Sequence, residues 1–439
     1  MRSSRRTKAS DVVELVEEVL GIRLPVRVRV WDGSEAGAPA GPGVPVVLVR
    51  SRRALRHVVW QPGELGVARA YVRGDLDVEG DLADALRLMW RTVREARERD
   101  PEAGRVRLGP RRIARGARVA LRMGALGPKP ARPTSESRLS GVKHTRERDR
   151  AAISHHYDLS NDFYALILDP AMAYSSAFWT RQPAADYGLV EAQQDKLDLV
   201  CRKLDLKPGG RMLDIGCGWG SLSLHAAEHY GVHVTGVTLS AEQRDFVIAR
   251  AAERGLSDKV DVSLKHFRDL EASGVDAVAS LEMGEHVGDA EYVDFCSSIE
   301  RYLRPGGRVL IQQMSRGHDA PGGGPFIETY IAPDMHMKPI AKTIGLIAAP
   351  GLEIRDVQAM REHYPLTVEA WAQALEDHWE EACRMVGEET ARVWRLYLAG
   401  GSLAFEENRM GVDQILAVKP TTAGRSEMPS SPLAWLDEQ

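Results

Sequence analysis

Two stretches of this chain carry residue types at spacings that chemistry needs. In the first, Met212-Leu213-Asp214-Ile215-Gly216-Cys217-Gly218-Trp219-Gly220, an apolar run reaches a carboxylate and then three glycines on alternate positions, before Leu222, Leu224 and Ala227. This reads as a strand, a tight turn and a helix. Glycine supplies backbone angles closed to residues with a Cβ and lets the main chain approach a ligand closely. Asp214 then stands at the carboxyl end of a strand, where open α/β sheets bind ligands. A dinucleotide site asks for Gly-x-Gly-x-x-Gly and an acidic residue about 20 residues on. Neither is present, since the next strand runs into Thr238-Leu239-Ser240-Ala241-Glu242-Gln243. A nucleotide-type cofactor that is not a dinucleotide is expected. The second stretch is Leu281-Glu282-Met283-Gly284-Glu285-His286-Val287-Gly288, after a later strand, with Ile311-Gln312-Gln313 ending the strand beyond it. By residue type alone, its charges are most simply solvated or capping groups at strand tips.

The elements that must position these groups alternate. Strands are expected at 211–215, 232–237, 260–264, 275–281 and 308–314, with helices at 221–230, 241–254 and 290–303, and a turn at Arg304-Pro305-Gly306-Gly307. Alternation of this kind implies an α/β fold with a mostly parallel sheet covered on both faces. Helices from about Pro339, Thr367 and Glu388 and a last strand at 414–418 follow. Ahead of this region, helices at 11–20, 64–71 and 82–97, strands at 26–30, 46–49 and 57–60, and a loop at 32–45 make a small α+β domain. The expected organisation is an N-terminal domain 1–124 for lipid, membrane or subunit contacts, a mobile linker 125–150, a catalytic domain 151–420 and a disordered tail 421–439.

Composition narrows the class. With 439 residues and 44% hydrophobic residues the chain can bury more than one core. Its net charge of -4 hides a polarised stretch between Arg91 and Arg122, with eleven arginines against Glu95, Glu98, Asp100 and Glu102. Such a stretch attracts an anionic surface. The four cysteines show no Cys-x-x-Cys pair, and His155-His156 has no further ligands at a recognisable spacing, so neither a disulfide framework nor a metal is expected. No apolar run is long enough for a signal core or a spanning helix. A cytoplasmic protein, peripheral on the inner face of the plasma membrane, is expected, with no nucleic-acid partner.

Asp-Ile-Gly-Cys-Gly-Trp-Gly, followed by Gly236-Val237-Thr238-Leu239-Ser240 and Gln243, resembles the S-adenosylmethionine site of the cyclopropane fatty acid synthase and mycolic acid methyltransferase family. His155-His156-Tyr157-Asp158-Leu159-Ser160-Asn161-Asp162 and Tyr174-Ser175-Ser176-Ala177-Phe178-Trp179 resemble segments that in this family cover the methyl donor and line the acyl channel. Glu285-His286-Val287-Gly288 resembles its signature after the fourth strand. The resemblance implies a Rossmann-like class I methyltransferase fold and methylation of a cis double bond in an unsaturated phospholipid acyl chain. It implies S-adenosylmethionine held by Tyr174, Ser175, Asp214, Gly216, Gly218, Gly220, Thr238 and Gln243. In cyclopropane-forming relatives the base is thought to be a bicarbonate held by a Glu, a His, a Tyr and main-chain groups. Glu285 matches that Glu and Tyr364 that Tyr.

Other positions depart from the family together. Ser176 stands where the family has Cys, Gln312 where it has His, and Glu282 where it has a Gly that leaves room near the anion. The departures point to Glu282 placing its own carboxylate where bicarbonate would sit, with Gln312 and Ser176 as donors, since two carboxylates and bicarbonate in one small site repel. The expected catalytic set is Glu285, Glu282, Tyr364, Gln312, Ser176 and His286. A methylene-branched acyl chain is the expected product, which a separate reductase would turn into a methyl branch. The alternatives are a cyclopropane synthase and a lipid-binding module without catalysis. A homo-oligomer is expected.

Overall fold

The computed structural model describes residues 7–106, 109–136, 160–317, 322–333 and 335–431. The His155-His156-Tyr157-Asp158 run, the second half of the expected linker and residues 432–439 lie outside the described residues. The chain divides into two compact units. One holds residues 1–136 together with 386–403; the other holds 137–385 and 404–439.

The larger unit is built on a seven-stranded sheet. Its strands are β5 (Arg211–Ile215), β6 (His233–Thr238), β7 (Val260–Leu264), β8 (Val275–Leu281), β9 (Leu303–Ser315), β10 (Glu353–Ala359) and β11 (Gly411–Val418), in the order β10-β11-β9-β8-β5-β6-β7. β5 through β9 pair in parallel, while β11 runs antiparallel between β9 and β10. Leu213, Val278, Val309 and Ile311 are fully buried, as expected of strands covered on both faces. The central pairing of β5 with β8 sets the Asp214 and Glu282 turns side by side at one sheet edge.

The smaller unit has a mixed four-stranded sheet in the order β2-β1-β3-β4, from β1 (Arg27–Val30), β2 (Glu35–Gly37), β3 (Val46–Val49) and β4 (Leu76–Glu79). Helices Lys8–Leu20, Arg52–Trp60, Glu64–Val72, Leu82–Arg97 and Pro110–Arg122 accompany it. Residues 388–403 belong to this unit too: Arg392 reaches the Tyr71 and Leu76 carbonyls at 2.6 and 3.0 Å.

Several expectations are corrected. His57–Trp60 is the end of a helix, because Ser51 caps its start at the Arg53 N–H and Ala54 and His57 bury one face at helical spacing. The 32–45 loop contains β2. Arg304-Pro305-Gly306-Gly307 is a bulge inside β9: Val275 and Ala277 of β8 face Leu303 and Arg308, and the extra residues loop out with Gly306 at φ +75. β10 and the helix Trp379–Val386 had no expectation. Residues 125–136 of the expected mobile linker are fastened to the small unit, where buried Glu136 accepts two bonds from Arg69 at 2.5 and 3.0 Å. The described start of the expected tail forms a turn closed by the Thr421 N–H on the Arg425 carbonyl. Within the arginine-rich stretch, Arg115 is turned onto Glu14 and Glu18, and Arg122 onto Asp11.

Candidate active site

The turn after β5 folds as its glycines require. Gly216, Gly218 and Gly220 have φ of +78, +54 and +79, where a Cβ is strained. The N–H groups of Gly216 and Cys217 donate to the Val237 carbonyl at 2.9 and 3.1 Å, fixing the turn against β6. At Gly216 an added Cβ would meet Met283, and at Gly220 it would meet Val247 at 2.8 Å. At Gly218 it would meet nothing but the cavity that the turn encloses. Gly218 is therefore the position where a ligand can lie against bare main chain.

That cavity is lined by Tyr174, Ser175, Asp214, Gly216, Gly218, Thr238 and Gln243, together with Trp219, Leu239, Glu282, Met283 and His286. Seven of the eight residues assigned to the cofactor thus come together. Gly220 does not join them; it caps the helix Ser221–His229 and packs on Val247. Asp214 is fully buried and accepts from Ser223 Oγ at 2.7 Å. Burial pushes its carboxyl up to about 6, against the pull of Ser223 and Lys196. Thr238 Oγ1 donates to Gln243 Oε1 at 2.7 Å, which leaves the Gln243 amide nitrogen turned to other partners. Bare main chain at Gly218, a buried carboxylate and polar groups at the tip of β6 fit an adenosyl ligand with an amino-acid tail.

Aromatic rings hold the turn from above. Trp219 Nε1 donates to Asn161 Oδ1 at 2.9 Å, Tyr164 lies 4.5 Å from the Trp219 ring, and Tyr174 lies 5.3 Å from Trp371. The 174–179 strip is pinned from below by the helix Leu189–Lys203. Gln193 donates to the carbonyls of Ala173 and Ser175, and Lys196 Nζ donates to Ser175 Oγ at 2.8 Å. Lys196 is fully buried, and burial lowers its pKa to about 8 while Glu282, Asp169 and Asp214 oppose the shift. Nothing in the sequence marks Lys196, because a lysine on an amphipathic helix reads as solvent-facing. Asn161 and Trp219 stand inside the quoted motifs and could have been found there.

The second turn gathers the catalytic candidates. Glu282 is the first residue after β8 and sits at φ +51, a left-handed conformation costly for any residue but glycine. Its Oε1 accepts from the Ser176 N–H at 2.8 Å and from Gln312 Nε2 at 2.8 Å; its Oε2 accepts from the Tyr364 hydroxyl at 2.5 Å. Gln414, opposite Gln312 in the β9–β11 ladder, donates to Gln312 Oε1 at 3.0 Å and so turns the Gln312 amide nitrogen toward Glu282. No motif or spacing singles out Gln414. Ser176 serves through its main chain, while its hydroxyl donates to the Ala177 carbonyl. The donor expected at Ser176 is its main-chain N–H, not its hydroxyl.

Glu285 is fully buried, more deeply than the half-buried Glu282, yet neither of its carboxyl oxygens has a hydrogen-bond partner among the described residues. Burial, with the Glu282 charge added, pushes it up to about 8. Burial also raises Glu282, but three donors pull it back. Hydrogen bonds to the charged form favour ionisation, so of this pair Glu282 is the one held toward its charged form and Glu285 the one held toward its neutral form. His286 is half-buried at the cavity wall, and desolvation lowers it to about 4, hence neutral. Among the described residues no cluster of side chains could hold a metal ion. None of the four cysteines is in a disulfide, and burial raises Cys217, beside the cavity, well above the usual thiol value.

Comparison with known proteins agrees with this geometry. The profile of the family described as mycolic acid cyclopropane synthetase matches residues 144–415. A relative from Pseudomonas putida, a "Probable fatty acid methyltransferase", is 35% identical over 95% of this chain and 98% of its own length. The cyclopropane-fatty-acyl-phospholipid synthase of Escherichia coli is 36% identical over 60% of this chain and 66% of its own. A solved mycolic acid cyclopropane synthase complexed with S-adenosylhomocysteine is 32% identical and superposes with a TM-score of 0.57, covering 61% of this chain and 97% of that one. With its turns, its sheet and its buried carboxylates accounted for, the chain belongs to the mycolic acid cyclopropane synthetase family of S-adenosylmethionine-dependent methyltransferases.

Proposed function

We propose that this enzyme methylates the cis double bond of unsaturated phospholipid acyl chains, that Glu282 is its base, and that the product is a methylene-branched chain. The relatives' names support the lipid substrate. One observation carries the role of the base: the donors of the catalytic turn are already gathered on Glu282. S-adenosylmethionine, held by the Asp214 turn and the Tyr174-Ser175 strip, supplies an electrophilic methyl group. An alkene carbon that accepts it leaves a cation on its neighbour, and the sequence ends when a base removes a proton. An ionised carboxylate has about four lone-pair positions, two on each oxygen. Both on Glu282 Oε1 are taken and one on Oε2 is taken, so Oε2 is the atom left to receive the proton. The same buried charge stabilises the cation before the proton moves. Glu285, holding its own proton, keeps a second negative charge out of the site.

Proton loss from the new methyl group closes a cyclopropane. A hydride shift before proton loss from that methyl leaves a methylene branch on the open chain instead. Cyclopropane formation is the second reading, favoured by the names of the Escherichia coli relative and the solved synthase. Mass spectrometry with NMR of acyl chains from a heterologous host expressing the protein separates the two, since ring and methylene have equal mass. Vinylidene proton signals support the methylene product, and ring-proton signals overturn it. For the base, turnover should be indifferent to added bicarbonate in the unmodified enzyme. In Glu282→Gly the lost rate should return in part when bicarbonate is added, and more fully with Gln312→His alongside. Strong bicarbonate dependence of the unmodified enzyme sinks the role of Glu282 and leaves the methyltransferase standing.

A further inference from the structure

The helix Pro110–Arg122 has two apolar faces, of which only one is used within its unit. Val119 and Ala120 turn inward and, with Met123, join the core of the small unit. On the other side Ile113 and Leu121 are 56% and 67% exposed, with Ala114 and Ala117 exposed between them. Ile113, Ala117 and Leu121 follow one another at four-residue spacing, so they form one strip along the helix. Leu126, 49% exposed, follows just beyond the helix end. The helix contains five arginines and no carboxylate. Arg115 and Arg122 are spent on Glu14, Glu18 and Asp11. Arg111 and Arg118 are exposed without an ion-pair partner among the described residues, and they flank the apolar strip on one side.

We infer that this face docks on an anionic phospholipid bilayer, with Ile113 and Leu121 entering the boundary between headgroups and acyl chains and Arg111 and Arg118 resting on headgroup phosphates. An aliphatic strip bordered by unpaired cations is what an interfacial helix needs. A second copy of the chain fits less well, because a two-fold contact over this strip would set Arg111 and Arg118 against their own mates. Nucleic acid would meet aliphatic side chains where it wants aromatic or polar ones. The choice of bilayer rests on the phospholipid substrate proposed above.

The test uses the full chain and sedimentation with vesicles of phosphatidylcholine alone or mixed with phosphatidylglycerol. Binding should require the anionic lipid and weaken as salt rises, since exposed charges are screened over about 10 Å at 0.1 M. Arg111→Gln with Arg118→Gln should weaken it by about 25-fold, roughly five-fold for each arginine. Ile113→Ser with Leu121→Ser should remove the part of binding that survives high salt, with circular dichroism showing that the variants remain folded. Equal binding of both vesicle types, or variants that bind like the unmodified protein, overturns the inference. So does a serine pair that loses a dimer mass in light scattering while vesicle binding stays, which would give the strip to a second copy. Methylation of acyl chains in detergent micelles without vesicle binding would remove this surface and keep the proposed reaction.

Discussion

The turn after β5 and the turn after β8 lie side by side at one edge of the sheet, the first with the buried carboxylate of Asp214 and the second with the half-buried one of Glu282, and they are supported from opposite directions. Asp214 takes its one side-chain donor from Ser223, nine residues further on in the same strand, turn and helix. Glu282 takes its donors from Ser176, Gln312 and Tyr364, which stand 106, 30 and 82 residues away. The first turn is a local design in which glycines do the shaping. The second forces a glutamate into a glycine's conformation and holds it there with three remote donors. Backbone strain of roughly 1–3 kcal/mol persists only where surrounding structure over-determines it. What separates the two carboxylates is therefore how many parts of the fold converge on each.

If the converging donors make Glu282 the base, Glu282→Gln should lower kcat by roughly 10²–10⁴-fold. Calorimetry should still show S-adenosylhomocysteine binding, because Asp214 and the bare main chain at Gly218 are untouched. A variant that keeps more than a tenth of the parent rate breaks the contrast between the two turns.

The next effect concerns Asp214 and is read as stability of the cofactor-free protein. Its folded pKa is raised from 3.8 to about 6. The sign follows: stability from the protonated form is fully present below about 3.8 and is lost as pH rises through about 6. The loss is on the order of 3 kcal/mol at full extent. Asp214→Asn should show a shallower fall of thermal stability between pH 4 and 7 than the parent, by that amount. Parallel curves would mean that Asp214 is not desolvated as the structure has it.

Tyr364→Phe removes one donor to an ionised carboxylate, worth about 1.5–3 kcal/mol, or roughly 10- to 100-fold in turnover. Losing a donor to the charged form raises the Glu282 pKa, so the acid limb of the pH–rate profile should move to higher pH. A rate loss with no movement of that limb would assign Tyr364 to packing, through its contacts with Phe405 and Trp371. The smallest effect is the sharpest test of which atom serves. Ser176→Ala keeps the main-chain N–H and loses only the hydroxyl bond to Ala177, so turnover should change by less than about three-fold. A ten-fold loss would show that the hydroxyl has a role the structure does not give it.

Period and punctuation made the fold legible. Strand and helix alternation is a local property, and the glycines of Gly216 to Gly220 announce a turn because few residues tolerate positive φ. The parallel sheet and most of the lining of the cavity at the Asp214 turn were readable for this reason. His57–Trp60 misled because β-branched and aromatic residues favour strands, whereas the Ser51 cap and burial of one helical face decided otherwise. The bulge in β9 and the ion pair of Arg69 with Glu136 needed partners far along the chain. The same holds for buried Lys196 and for Gln414.

The sequence by itself determined that a carboxylate stands at position 282 and that Ser176 and Gln312 accompany it. Only the tertiary structure decided that Ser176 acts through its main chain, that Gln414 sets the Gln312 amide, and that Glu285 lies near Glu282 without a donor among the described residues. The physical reason is that charge state depends on desolvation and on the count of donors, and both are sums over groups that the chain brings together from far apart.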